Sequence, residues 1–184
     1  MSLQEVFSKL TDPRRRVGMR TDLSQILSMV VMSYLCGYTG YRPIKRFCEA
    51  HSATLIAGLS LRHGIPSHVT FHTILSHLSE AEMIAAFNEW SAAYVPLEAT
   101  DWVSGDGKTL GSTVVNPHSP LQNFEAVVSL FCHKSGLVKS LGHYRNKDKE
   151  SGELDMVRFL VSQLAEMGVT IRLDALHTQK KRLS

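Results

Sequence analysis

The period of the apolar residues changes near Pro96, and that change limits the folds open to this chain. Up to Tyr94 they recur at the spacing of a helix face; beyond Trp102 strand-like runs enter, with one further helical stripe among them. Leu23, Ile26, Leu27, Val30, Val31, Tyr34 and Leu35 share one helical face. Asp22 is the expected N-cap, Gln25 its capping-box partner three residues on, and Gly37 the stop. A second helix is predicted after Gly40, with Pro43 in its first turn and Ile44, Phe47 and Cys48 turned inward. A third starts at Ser67 and carries Phe71, Ile74, Leu75 and Leu78. The capping box Ser79-Glu80-Ala81-Glu82 opens a fourth, striped by Met83, Ala86, Phe87, Trp90 and Tyr94 and ended by Pro96. Phe87 and Trp90 are read as core.

After Pro96 the elements differ. Trp102 to Asp106 reads as a short strand ending in an acid. Glu125 to Cys132 is rich in β-formers, and Leu137 to Leu141 is its predicted hairpin partner across a Ser135-Gly136 turn. Glu153 to Met167 is an amphipathic helix with Leu154, Val157, Leu160, Val161, Leu164 and Met167 on one side and Gly168 as its stop. Val169 to Leu173 is a strand leading to Asp174. These elements predict an α+β protein: an all-helical domain, residues 1–97, and a mixed α/β domain, residues 98–184.

Charge is uneven. Residues 1–66 hold nine Lys/Arg against four acids, residues 67–106 none against six, and residues 107–184 eleven against seven. The basic first third suits a phosphate-binding surface or an ordinary solvated one. Cys36, Cys48 and Cys132 are neither a disulfide framework nor a zinc spacing, which favours a reducing, cytoplasmic setting. The most apolar run, Ile26 to Leu35, is too short to span a bilayer, so no membrane partner is expected.

Two strand-borne acids have a specific use if their strands are neighbours. Asp106 and Asp174 would then set carboxylates side by side, a repulsive pair unless a hard cation such as Mg²⁺ or Mn²⁺ lies between them. Such ions support phosphodiester chemistry. The alternatives are an Asp106-Gly107 turn and Asp174 as a helix cap. His68 and His72, four apart and close to His77, read as exposed polar positions before ligands. Glu150, Glu153 and Asp155 suit the dipole of the helix they open.

Six blocks in order resemble the H-repeat-associated insertion-sequence transposases: Asp12-Pro13-Arg14-Arg15-Arg16; Leu35-Cys36-Gly37 with Gly40-Tyr41-Arg42; Pro66 to Phe71; Asp106-Gly107-Lys108-Thr109-Leu110; Gln122-Asn123-Phe124 with Val127-Val128-Ser129; and Asp174 to Lys181. The DGK block and the last are the most specific. The resemblance implies a DDE enzyme with a ribonuclease-H-like catalytic domain, acting on transposon ends and target DNA in the bacterial cytoplasm at the nucleoid. Asp106 and Asp174 would be its first two catalytic acids and its ligands for Mg²⁺ or Mn²⁺. The helical domain would bind DNA. Arg14, Arg15, Arg16, Arg42, Lys45, Arg46, Lys108 and His177 are the candidate DNA contacts, and a second copy of the chain is a further candidate partner.

Two positions depart from the family pattern: no Arg stands between Leu110 and Gly111, and Gly105 replaces the usual β-branched residue before the first acid. No Glu follows Glu166. The expectation is a ribonuclease-H-like domain cut off before its third acid and inactive alone, with an unpaired, aggregation-prone sheet edge. The alternative expectation is a non-catalytic DNA-binding fragment that represses or competes with an intact transposase.

Overall fold

A computed structural model describes residues 2–17, 19–114, 124–145 and 152–173. The chain divides into two compact units, Met1–Ala86 and Phe87–Ser184.

The first unit is helical. It comprises α1 (Leu3–Phe7), α2 (Leu23–Leu35), α3 (Tyr41–Ala50), α4 (Ser52–Leu59), α5 (His68–His77) and the first part of α6 (Glu80–Tyr94). Local chemistry sets the helix starts. The Asp22 amide donates to Gln25 Oε1 (3.0 Å), Ser67 Oγ accepts from the Thr70 amide (3.2 Å), and Ser79 Oγ from the Glu82 amide (3.3 Å). Gly37, at φ 81°, ends α2 in the left-handed region that glycine adopts without a steric cost. Ile26, Met29, Ile44, Cys48, Phe71 and Ile74 are fully buried together, each aromatic or aliphatic side chain contributing about 1.5–3 kcal/mol relative to exposure. The buried Ser33 hydroxyl donates to the Met29 carbonyl one turn back (2.7 Å), so it costs the core no unpaired polar atom.

The second unit is a four-stranded mixed sheet, order β3-β2-β1-β4, with one helix: β1 (Trp102–Thr109), β2 (Glu125–Cys132), β3 (Leu137–Arg145), α7 (Glu153–Ser162) and β4 (Thr170–Arg172). β1–β2 and β2–β3 are antiparallel, and β1–β4 is parallel. A tight turn joins β2 to β3, with Gly136 at φ 69°. A parallel partner needs a crossover, and α7 supplies it. Alternate residues of the strands (Val103, Ala126, Val128, Leu130, Tyr144) bury against Val157, Leu160 and Leu164.

The outer edge of β3 is occupied by the end of α6. Asn88 pairs with Leu141 as a strand residue would: its Nδ2 donates to the Leu141 carbonyl (2.9 Å) and its Oδ1 accepts the Leu141 amide (2.7 Å). Ser91 Oγ donates to the Val138 carbonyl (2.6 Å). Leu130 pairs with Ser140 and Phe131 with Val138, so Lys139 is the extra residue of a bulge. Its ammonium reaches the Val95 carbonyl (2.7 Å), and burial holds it below the usual lysine range. That edge is therefore not left unpaired where α6 meets it.

The elements differ from expectation at several points, and β3 runs on to Arg145 rather than ending at Leu141. β1 continues past Asp106 to Thr109 because β2 pairs along its whole length, up to Thr109 opposite Ala126. The helix of α7 ends at Ser162, and Met167 is exposed rather than inward. Phe87 and Trp90 are half buried, while Asn88, Ser91 and Val95 turn toward the sheet. α1 and α4 are separate helices that the apolar pattern does not predict. No helix among the described residues is long and apolar enough to cross a membrane.

Candidate metal centre and nucleic-acid surface

Asp106 lies in the middle of a strand, opposite Ser129 of β2, and is exposed. That arrangement rules out the Asp-Gly turn. Trp102, Ser104, Asp106 and Lys108 share one side of β1, and Val103, Gly105 and Gly107 share the other, which packs toward α7. The α7 side is already occupied by side chains that a larger residue would displace: a Cβ on Gly107 would strike the Glu153 carboxylate, and one on Gly105 would lie 2.8 Å from Leu173 Cδ2. Packing on one side thus explains why an acid on the other is flanked by glycines.

Among the described residues the Asp106 side chain makes no hydrogen bond or ion pair. A solvent-facing carboxylate with no competing cation is a hard oxygen donor suited to Mg²⁺ or Mn²⁺. Lys108, two residues along the same side, is exposed as well. Ser104, two residues before, is hydrogen bonded to His133 Nε2 (2.6 Å). Asp174 and His177 lie outside the described residues, as does Glu150.

The parallel register bears on the missing partner. Trp102, Val103 and Ser104 lie beside Thr170, Ile171 and Arg172. Asp106 follows Ser104 by two residues, and Asp174 follows Arg172 by two. The sheet also contains acids that are already engaged. Glu125 is held by Arg145 Nε (3.0 Å), and His143 Nε2 lies 3.6 Å from its carboxylate. Glu153 accepts a hydrogen bond from Tyr144, whose hydroxyl is pushed above its usual range by burial and by that carboxylate. Its role as a packing residue over Gly107 is invisible in sequence, where Glu153 reads as a helix-dipole acid that also matches an acidic position of the family pattern.

The basic candidates separate into used and exposed charges. Arg14 is mostly buried. Its Nε donates to Asp12 Oδ1 (2.9 Å), and its Nη2 donates to Asp12 Oδ2 (2.6 Å) and the Thr21 carbonyl (2.8 Å). Burial alone would raise the Asp12 carboxyl, but the Arg14 hydrogen bonds and charge outweigh it and hold it below its usual range. Arg14 therefore ties the loop before α2. Lys45 pairs with Glu49 one turn on (2.5 Å). Arg15, Arg16, Arg42 and Arg46 are exposed, as are Arg20 and Arg62, which no sequence motif marks.

Comparison with known proteins fits this division. Residues 4–91 match the DDE_Tnp_1-associated family, so the helical part is of a kind that accompanies transposases. The chain is 30% identical over 176 residues to the "Uncharacterized protein in dhlA 3'region" of Xanthobacter autotrophicus, covering 95% of this chain and 58% of that one. It is 28% identical over 182 residues to the "H repeat-associated putative transposase YbfD" of Escherichia coli (strain K12), covering 97% and 68%. Over 178 residues it is 28% identical to the "H repeat-associated putative transposase YhhI" of the same strain, covering 97% and 46%. These matches support a transposase of the H repeat-associated kind, N-terminal portion. It spans between about half and two thirds of the length of the relatives it matches.

Proposed function

We propose that this chain carries the DNA-binding part and the first two catalytic acids of a DDE transposase. Residues 1–97 form the associated domain, and residues 98–184 begin a ribonuclease-H-like catalytic domain. The observation that carries the reading is the parallel β1–β4 register, in which Asp106 and Asp174 each follow a paired residue, Ser104 and Arg172, by two positions. Parallel neighbours in step carry equivalent residues on the same side, which supports convergence of the two carboxylates. The sheet order β3-β2-β1-β4 with α7 as crossover supports the ribonuclease-H comparison.

Asp106 and Asp174 would hold Mg²⁺ or Mn²⁺. When bound there, a divalent ion supplies charge neutralisation and activation of a water or 3′-hydroxyl at a phosphodiester. The chain's own part is placement. The sheet fixes Asp106 by its pairing with Ser129 of β2, with β4 paired to β1 up to Ser104, and Lys108 offers a charge to a neighbouring phosphate. The exposed Arg15, Arg16, Arg42 and Arg46 support the first unit as the surface that meets the DNA backbone, with transposon ends and target as the DNA. The same exposed arginines favour a second reading for these 184 residues alone: binding of transposon ends without chemistry, in competition with an intact relative.

Calorimetric titration of Mg²⁺ tests the first reading. Binding to the chain is expected, and it is lost in the Asp106→Asn, Asp174→Asn double variant. Equal heats from both proteins would refute convergence of the two acids and leave the DNA-binding reading.

A further inference from the structure

A groove of about 490 Å³ lies between the first turns of α3 and α5, lined by Tyr41, Arg42, Pro43, His68, Val69 and His72. Its volume falls within the ~300–1,000 Å³ usual for small-ligand sites. Two features set it apart from an ordinary crevice between helices. First, its aromatic wall is held in place. The Tyr41 ring meets the His72 ring edge-on (centroids 4.7 Å apart, 77° between planes), and the Tyr41 hydroxyl lies 3.5 Å from Ser76 Oγ. Tyr41 is nonetheless at the surface, 36% exposed. Second, the apolar lining is uncovered: Val69, on the first turn of α5, is 58% exposed. The charge at the rim is one-sided. Arg42 is exposed, two histidines line the wall, and no acid lines the groove.

An apolar, aromatic slot with a guanidinium at its mouth complements a nucleotide, whose base offers a π-face and whose phosphate offers a negative charge. A base pair within a duplex keeps its faces stacked on its neighbours, so away from duplex ends only an unpaired nucleotide can present one. We propose that the α3–α5 groove seats one unpaired nucleotide of the bound DNA, its base against the Tyr41–His72 pair and its phosphate on Arg42. The inference rests on the reading of the first unit as DNA-binding and adds to it a preference for a single-stranded or opened segment.

Binding of the full chain to a fluorescent oligothymidylate and to a blunt duplex of equal length is the test. A 2-aminopurine base in the single strand reports stacking by loss of its fluorescence. The expected result is that Tyr41→Ala weakens single-strand binding roughly 5- to 150-fold, the range for one base–aromatic stack, and abolishes the quench. Duplex binding is unchanged, and Tyr41→Phe behaves as the parent. Val69→Glu sets a negative charge in the groove at an exposed position. It is expected to weaken single-strand binding alone, and it carries the test should Tyr41→Ala fail to fold. Parental single-strand affinity and quench in Tyr41→Ala and Val69→Glu would overturn the proposal. So would a parent chain that binds duplex but not oligothymidylate, with the DNA-binding reading left standing. A parent that binds neither would refute both.

Discussion

Replacing Asn88 by Ala removes both bonds through which α6 completes the outer strand of the sheet: the amide donor to the Leu141 carbonyl (2.9 Å) and the acceptor for the Leu141 amide (2.7 Å). A net value of ~0.5–1.5 kcal/mol per bond gives about 1–3 kcal/mol for the pair. The contact is only partly buried, so water can take over the vacated backbone groups, and the lower part of that range, about 1–2 kcal/mol, is expected. For a domain of about a hundred residues this lowers Tm by roughly 5–15 °C. Asn88→Asp makes a sharper test. The new carboxylate still accepts the Leu141 amide but turns its second oxygen toward the Leu141 carbonyl, where only a protonated acid can donate. Its folded-state pKa is therefore raised above the unfolded value of ~3.9. The variant binds more protons when folded, so it is closest to the parent below the unfolded pKa and loses stability as pH rises through the folded pKa. Asn88→Ala carries a constant offset instead. Urea titrations across pH, with amide exchange at Leu141, read both effects. A pH-independent deficit in Asn88→Asp, or unchanged exchange at Leu141, would show that Asn88 does not act by replacing a strand.

Arg14→Ala should cost roughly 1–3 kcal/mol by urea unfolding, since it strands Asp12 and frees the Thr21 carbonyl; Arg14→Lys, which keeps charge but loses the fork, should recover little. Because the Asp12 carboxyl is held below its unfolded range, its contribution is present above the unfolded pKa and fades as pH falls through the folded one. The parent is therefore expected to lose more stability on acidification than Arg14→Ala, and equal losses would count against the pair. Gly142→Ala places a methyl group 2.7 Å from Met156 Cγ and 3.3 Å from Leu160 Cδ1; the flexible thioether can yield, so a loss of about 1–2 kcal/mol is expected from the melting curve, and an unchanged Tm would mean α7 is not seated that closely.

What the sequence makes legible here is local. α2, α3, α5 and α6 are readable because caps and stops stand next to the apolar stripes that they bound: Asp22 with Gln25, Ser67, Ser79 with Glu82. α1 has its own capping box at Ser2 and Glu5, but five residues carry no period. α4 (SATLIAGL) is small and apolar nearly all round, and only His51 separates it from α3. The α6 stripe misleads for a tertiary reason. Its polar residues Asn88 and Ser91 look like the solvent side, yet they are the ones that match the unpaired backbone of β3. Arg14 misleads in the same way: a run of three arginines reads as a charged surface, while the carboxylate that claims the first lies two residues away in Asp12. Of the candidate site, Asp106 is legible as an acid on a strand. Its mid-strand position depends on the distant partners β2 and β4 and is not.

Those distant partners also change the meaning of Gly105. Taken alone, a glycine where the family resemblance leads one to expect a β-branched residue suggests a loosened strand before the first acid. In the sheet, the space over Gly105 is filled from the next strand, with Leu173 Cδ2 2.8 Å from where a Cβ would stand and Leu130 Cδ2 at 3.4 Å. The apolar mass is moved rather than lost. Gly105 immediately precedes Asp106 and Leu173 immediately precedes Asp174, so the exchange of volume falls between the two residues that lead into the two acids. A β-branched side chain at 105 would press on the Leu173 and Leu130 side chains, whereas the glycine leaves that space to them. The departure from the family pattern is thus matched by a side chain on the neighbouring strand, and the two positions have to be read as one.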